Sequence, residues 1–355
     1  MVDAPYPELK KTHTMARTGR PWTDTKPPAA ATVWGIIQGF VNYWVLVAAL
    51  ELGVFDAVAQ GSPISSADLA ARLGTDPART ADLVDALCVL GLLETVPDGV
   101  VLWDGSVRYL TSTGAASMVD LVAVANGPQA NWPHLAETVR TGVVPNPVEL
   151  DPVAFYRPLV EATFPTQHRA ALRLGARLGW SRRPGLRVLD LGAGGAPWAL
   201  AVLLSSTGST AVVNDLPGVV ELAAEKASAL GAADRIIVRA GNYHEIEIEP
   251  AAYDVVMVCH VLRAEGATGA RALIERAARA LRPGGTLVAA DYARGATRTT
   301  NPFAALMGAT LAASTREGTT FTGPELVGWL HATGLRDIRF HEPIGGQYAY
   351  TAEQP

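Results

Sequence analysis

Apolar positions along the chain follow two rhythms, and the change between them falls near residue 186. Before it the spacing is helical. Val33–Leu50 is an eighteen-residue run without a charge, interrupted only by polar residues such as Gln38 and Asn42. It predicts a helix buried on most sides, ending at Ala48–Phe55 with Gly53 as its C-cap. Ser65, with Asp68 three residues on, predicts the N-cap of a second helix that stops at Leu73-Gly74. Thr75-Asp76-Pro77 opens a third, a polar cap followed by proline just inside. Leu83, Val84, Leu87 and Leu90 carry its apolar face, and Gly91 ends it. Leu92–Thr95 and Val100–Trp103 flank Pro97-Asp98-Gly99 and predict a hairpin. Helix, turn, helix and two-stranded wing form a winged-helix pattern. Residues 115–180 read as linker and pocket helices, anchored by Trp132, Leu135, Val139, Phe155, Leu159 and Phe164 and broken at Gly142 and Pro145–Pro147.

From Leu186 onward, short β-branched runs alternate with helical ones. Leu186–Leu191, Thr210–Asn214, Arg235–Ala240, Tyr253–Cys259 and Gly285–Ala290 predict strands; Trp198–Ser205, Val219–Leu230 and Thr268–Leu281 predict helices between them. That alternation implies an α/β fold with a parallel, doubly wound sheet. Asp337–His341 and Gln347–Ala352 predict a final antiparallel pair at the sheet edge. The expected organisation is a flexible tail over 1–30, a winged-helix domain over 31–114, linking helices over 115–180, and the α/β domain over 181–355.

Composition narrows the partners. Lys plus Arg is 29 and Asp plus Glu is 34, a net charge of −5, so no global basic footprint for nucleic acid exists. The would-be recognition helix, Asp76–Leu90, carries Arg79 against Asp76, Asp82 and Asp85, a face that repels phosphate. The winged-helix segment is therefore read as a dimerisation domain, although a ligand-responsive regulator with the same pattern is the rival. The Pro-rich first 30 residues lack the apolar core of a secretory signal. Val33–Leu50 is long enough to be a span candidate and holds Gly35 and Gly39 in GxxxG spacing. Its polar interruptions and Glu51 favour a helix in a homodimer interface, with no membrane partner. Cys88 and Cys259 form no CxxC pair, which excludes a cysteine-rich zinc site and fits a reduced, cytoplasmic protein.

The stretch Val188-Leu189-Asp190-Leu191-Gly192-Ala193-Gly194-Gly195 closes the first strand of the α/β half. Glycines there let backbone amides approach a ligand at the carboxyl edge of the sheet. A dinucleotide fingerprint wants a third glycine where Pro197 stands, and no Gly-Lys-Ser/Thr ending marks a Walker loop. Asp190 suits a ligand with an ammonium group. Asp215, 25 residues on, can accept hydrogen bonds from both hydroxyls of a ribose. Gly241-Asn242-Tyr243 follows the third strand; Asn242 could read an adenine amine while Tyr243 packs on the ring. Ammonium, ribose and adenine partners in chain order describe S-adenosyl-L-methionine. Taken singly, each residue has an ordinary alternative: glycines for turns, Asp215 as a cap.

With Asp215-Leu216-Pro217 and Leu281-Arg282-Pro283-Gly284-Gly285 added, the chain resembles the S-adenosylmethionine-dependent small-molecule O-methyltransferases of the plant caffeate and acetylserotonin type and their actinobacterial relatives. The resemblance extends from Val33 to Ala352. It implies a Rossmann-like class I methyltransferase domain behind an N-terminal dimerisation domain, an intertwined homodimer, and Leu216 and Cys259 as further cofactor-binding positions. The family's general base is a His in a Leu-His-Asp-Trp stretch after the fourth strand. Here that stretch reads Val261-Leu262-Arg263-Ala264-Glu265, and arginine cannot act as a base near neutral pH.

Three readings follow from that departure. His260, at the end of the fourth strand, takes over as base, or is a structural histidine. Arg263 anchors an anionic acceptor, or pairs with Glu265 or Asp291. The acceptor is carbon, and proximity to the sulfonium methyl supplies most of the effect. Asp291 could orient His260 or Arg263. Trp132, Tyr292 and Met307 are expected pocket walls, together with Phe321. His260 and Asp291 lack a third metal ligand, so no metal is expected. The expected activity is methyl transfer to a small aromatic acceptor of natural-product type, at oxygen or carbon. The alternative is non-methylating chemistry, such as cyclisation, decarboxylation or hydroxylation, around a bound cofactor.

Overall fold

Local chemistry starts the helices where the capping residues stand. The computed structural model describes residues 29–114, 117–125, 127–344 and 346–355, so most of the expected tail lies outside the described residues. The chain forms two compact units that divide between Ser117 and Met118.

The first unit holds α1 (Ala29–Glu51), α2 (Val54–Ala59), α3 (Ser66–Leu73), α4 (Pro77–Val89), β1 (Leu93–Val96), β2 (Gly99–Leu102) and α5 (Asp104–Leu110). Ser65 Oγ accepts the Asp68 N–H at 3.1 Å and starts α3; Asp76 Oδ1 accepts the Arg79 N–H at 2.9 Å and starts α4. Gly53 is left-handed between α1 and α2, as a C-capping glycine is. β1 and β2 pair antiparallel, and Ile64 adds an antiparallel bridge to Val100. Gly99 is required there, because a Cβ would run into the Ile64 carbonyl. Phe55, Val58, Leu69 and Leu87 fill the core. The expectation for α1 needs revision within one chain. Val47 and Ala49 are buried, but Trp34, Ile36 and Phe40 in its first half are about 70% exposed (69%, 72% and 68%).

The second unit begins with α6 (Val119–Ala125), α7 (Leu135–Thr141) and the long α8 (Pro152–Leu178). Gly142 ends α7 in the left-handed region, and Asp151 caps α8 through the Ala154 N–H. Then come β3 (Arg187–Leu191), α9 (Pro197–Ser205), β4 (Thr210–Asp215), α10 (Glu221–Ala229), β5 (Ile236–Ala240), β6 (Tyr253–Cys259), α11 (Ala267–Ala280) and β7 (Leu281–Asp291). Helices α12 (Pro302–Ser314) and α13 (Gly323–Ala332) precede β8 (Arg336–Ile344) and β9 (Gln347–Glu353). The seven strands run in the order β5-β4-β3-β6-β7-β9-β8. β3 to β7 are parallel, and β9 is antiparallel to both neighbours.

Alternate strand residues face opposite layers. Val188, Val255 and Met257 pack with Leu174 of α8 and with the apolar run of α9. Leu189, Leu191, Val256 and Val258 pack with Leu273 and Ile274 of α11 and Leu330 of α13. The strand order reverses direction between β3 and β6, and such a switch point opens a crevice at the carboxyl ends of the strands. The final antiparallel pair lies at the sheet edge, as expected. Within the pair β8 takes the edge; β9 is inserted between β7 and β8, so it is paired on both sides.

Candidate active site

The loop after β3 is built on backbone that side chains would spoil. Gly192 and Gly194 have φ of 68° and 55°. A Cβ on Gly192 would stand 2.7 Å from Val261 Cγ2, and one on Gly194 would stand 2.8 Å from Val160 Cγ1 of α8. Pro197, which excluded a dinucleotide fingerprint, occupies the first turn of α9, where its missing N–H costs nothing. Asp190 is 1% exposed, and Oδ2 accepts the Ala199 N–H at 3.2 Å. Burial pushes its carboxyl up to about 7, only partly opposed by that hydrogen bond.

Asp215 ends β4 and ties two loops together. Oδ2 accepts the Gly194 N–H and Oδ1 the Leu216 N–H, both at 2.7 Å. The Gly241 N–H donates to the Asp215 carbonyl at 2.9 Å, so the turn after β5 docks beside it. There Tyr243 lies against Gly192, with Cε1 3.6 Å from where a Cβ would stand. Asn242 is exposed, and its Oδ1 accepts the His244 N–H at 2.9 Å, so its side-chain oxygen caps its own turn. The acid facing Tyr243 is Glu265. Its Oε1 accepts the Tyr243 hydroxyl at 2.5 Å, and its Oε2 lies 3.2 Å from His244 Nε2. Among the two carboxylates weighed as partners for Arg263, Glu265 is thus engaged elsewhere.

Arg263 pairs with Asp291. Arg263 Nη1 donates to Asp291 Oδ1 at 3.0 Å and to the His260 carbonyl at 2.6 Å, and the Arg263 N–H donates to Asp291 Oδ2 at 3.1 Å. The Tyr292 N–H adds a bond to Asp291 Oδ1 at 2.8 Å. β6 and β7 are parallel neighbours with Cys259 opposite Ala290, which brings residues 28 apart in sequence to one corner. His260 sits in the left-handed region with φ of 60°, its ring between Tyr292 (5.0 Å) and Trp198 of α9 (6.2 Å). Neither ring nitrogen has a hydrogen-bond partner among the described residues. Nδ1 is 3.8 Å from Asp291 Oδ1, too far for a hydrogen bond. Burial, and then the Arg263 charge, hold its imidazole down to about 3 despite Asp291. Cys259 is buried at the end of β6, where desolvation pushes its thiol up.

The expected walls separate. Tyr292 belongs to the corner: the Arg263 guanidinium carbon lies 5.4 Å from its ring centre, and the tilted ring of Phe303 of α12 lies 4.9 Å away. Trp132 is 39% exposed in the 3-10 segment Gly127–His134, which packs on α12, and Met307 is half-buried on α12. Phe321 is buried among the residues of the α11 and α13 layer, a core position. Sequence reasoning missed Trp198, Phe303 and Glu265's tie to Tyr243. It also missed Tyr156 on α8, a largely buried hydroxyl close enough to feel the charges of Arg263, Asp215 and Glu265. No periodicity signals these, because α8 and α9 are apolar or mixed on most faces.

A doubly wound sheet with an acid-led glycine loop at its switch point and acids ending the neighbouring strands defines the class I methyltransferase architecture. The comparisons agree. Residues 34–119 match the O-methyltransferase dimerisation domain, and residues 188–285 match a methyltransferase domain. The chain is 28% identical to 3-hydroxy-5-methyl-1-naphthoate 3-O-methyltransferase of Streptomyces sahachiroi, over 87% of this chain and 91% of that one. It is 29% identical to acetylserotonin O-methyltransferase of Bos taurus, over 88% and 93%. Human N-acetylserotonin methyltransferase, solved in complex with S-adenosylmethionine, superposes with a TM-score of 0.79 at 24% identity, covering 94% of this chain and 99% of that one. The chain thus joins an O-methyltransferase dimerisation domain to a methyltransferase domain, and its relatives are small-molecule O-methyltransferases. Its cofactor is S-adenosylmethionine. The residues present fit that group: a buried carboxylate raised to about 7 gains most from a cationic partner, and the left-handed glycines leave backbone exposed beside it.

Proposed function

We propose that this enzyme methylates a hydroxyl oxygen of a small aromatic acceptor at the carboxyl edge of β3, β6 and β7, working as a homodimer. The observation that carries the reading is the Arg263–Asp291 corner, where a partly buried cation and an aromatic lining adjoin the glycine loop. Asp190 would meet the cofactor's ammonium group and Asp215 its ribose hydroxyls, with Gly192, Gly194, Leu216 and Gly241 shaping the floor. Tyr243 would pack on the adenine, held in place by Glu265. The bound cofactor supplies a methyl group on a sulfonium that leaves as a neutral thioether. The chain contributes alignment, exclusion of water and charge. Arg263 holds the acceptor, His260 and Tyr292 wall it, and Asp291 positions Arg263.

Support for an aromatic acceptor comes from the ring series Trp198, His260, Tyr292 and Phe303. The named acceptors of the two relatives, a hydroxynaphthoate and acetylserotonin, are of that kind. Support for the dimer comes from α1, whose exposed Trp34, Ile36 and Phe40 lie in the segment matching the dimerisation domain. That helix is also long and apolar enough to cross a membrane by length and composition. Burial against a second copy accounts for the same surface.

The test incubates pure protein with methyl-labelled S-adenosylmethionine and a panel of phenols and hydroxylated aryl carboxylic acids. A labelled ether with equal S-adenosylhomocysteine is expected. An altered acceptor with the cofactor recovered intact would refute methyl transfer in favour of cyclisation, decarboxylation or hydroxylation.

A further inference from the structure

The corner where the family places its base holds no strong proton acceptor. Asp291's two oxygens already accept three hydrogen bonds, one of them from the Arg263 guanidinium. Arg263 is cationic and has no lone pair to offer. His260 is walled by rings, and no hydrogen bond orients either of its nitrogens. Its buried imidazole also binds a proton only near pH 3, and the adjacent Arg263 opposes the charge. The other titratable groups facing Arg263 are Tyr292 from the end of β7 and Tyr156 from α8. Both tyrosine hydroxyls are raised by burial, so they too stay protonated at neutral pH. Glu265 and Tyr243, on the far side, are bonded to each other.

What the corner does offer is positive charge. Arg263 is 18% exposed and uses only Nη1 in its bonds to Asp291 and His260. Among the described residues Nε and Nη2 take no hydrogen bond, which leaves two nitrogens with three N–H groups for an anion. A partly buried guanidinium recognises an oxyanion through charge-assisted hydrogen bonds far better than it recognises a neutral hydroxyl.

From this arrangement we infer that the enzyme has exchanged a general base for an anion clamp, and that its acceptors are acidic phenols or enols that arrive already ionised. The inference rests on the O-methyltransferase reading of the site and names the acceptor class within it. The step then balances without a proton transfer. The acceptor oxyanion supplies the electron pair of the new O–C bond, and the pair of the broken C–S bond returns to sulfur. The anion becomes a neutral ether as the sulfonium becomes a neutral thioether.

The wild-type enzyme gives the test, because kcat/KM against pH reports ionisations of the free enzyme and free acceptor. The acceptors are a nitro-substituted phenol, ionised near neutrality, a hydroxyaryl ketone, and unsubstituted phenol, whose pKa is about 10 like that of tyrosine. The midpoint of the rising limb should move with each acceptor's own pKa. On ionised fraction alone, phenol at pH 7 should run roughly 1,000-fold below its alkaline limit. One midpoint common to all acceptors would reveal a protein base and overturn the inference, with methyl transfer itself intact. Transfer to the weakly acidic phenol but to none of the ionised ones would also overturn it.

As a second measurement, Arg263→Met should lower kcat/KM for the nitrophenol roughly 10- to 100-fold, and Arg263→Lys should restore part of that loss. Folding of both variants is checked by melting. Failure of S-adenosylmethionine itself to bind in calorimetry is a different result. It would refute the site reading, and the inference with it.

Discussion

Gly192 can be tested against a control glycine in the same domain. Gly192 and Gly208 have nearly the same backbone, with φ of 68° and 71°. Alanine at either position pays left-handed strain, about 1–2 kcal/mol. Their surroundings differ. A Cβ at Gly208 meets nothing within 4 Å, whereas at Gly192 it stands 2.7 Å from Cγ2 and 3.0 Å from Cβ of Val261. Val261 is 6% exposed in the loop after β6, so it cannot swing into solvent. Overpacking of that kind costs about 1–3 kcal/mol. Gly208→Ala should therefore cost about 1–2 kcal/mol and Gly192→Ala about 2–5 kcal/mol. Adding Val261→Ala to Gly192→Ala should recover the steric part, appearing as a coupling of about 1–3 kcal/mol. Urea unfolding with linear extrapolation measures each value, and calorimetry with S-adenosylmethionine should show weakened binding for Gly192→Ala alone. Equal costs for the two glycine variants, with no coupling to Val261, would refute the argument that close approach selects glycine here.

Asp190 should make the cofactor-free protein sensitive to pH. Its carboxyl is raised from 3.8 to about 7, so its stabilising protonated state is complete below about pH 4 and is lost as pH rises through about 7. Asp190→Asn should thus gain stability over wild type above pH 7, by up to about 4 kcal/mol, with no gain below pH 4. Melting curves between pH 4 and 9 check the sign. Asp291→Ala should cost about 3–5 kcal/mol by stranding Arg263, whereas Arg263→Met combined with Asp291→Leu should cost less, in denaturant unfolding of each. If the proposed homodimer forms through α1, Phe40→Glu should give a folded monomer in light scattering after gel filtration, because it places a charge on the exposed apolar half of that helix.

Features that depend on a few consecutive residues were legible along the chain. Ser65 and Asp76 cap because a short polar side chain reaches the N–H three residues on, wherever the helix lies. The run Asp190–Gly195 announces its loop because left-handed backbone demands glycine whatever surrounds it. The alternation of strand and helix set the doubly wound sheet for the same kind of reason, since each element's apolar period is written into its own residues. Arg263's departure from the family pattern was equally plain, being a single substitution at a recognisable place.

Pairings across the sheet were not legible. Whether Glu265 or Asp291 would hold Arg263 turned on the register of β6 against β7, which sets Cys259 opposite Ala290 and so aims Asp291 at the guanidinium. Asn242's engagement in its own turn, and Glu265's capture by Tyr243, depend on how the turn after β5 meets the loop after β6. The place of β9 inside the sheet and the position of the His260 ring between Trp198 and Tyr292 are of the same kind. Residue chemistry and local backbone are properties of neighbours along the chain, so the sequence alone determined the alternation of strand and helix, the left-handed glycine loop and the arginine at position 263. Which charge finds which partner is a property of neighbours in space, and only the packed structure decided that Arg263 pairs with Asp291 while Glu265 holds Tyr243.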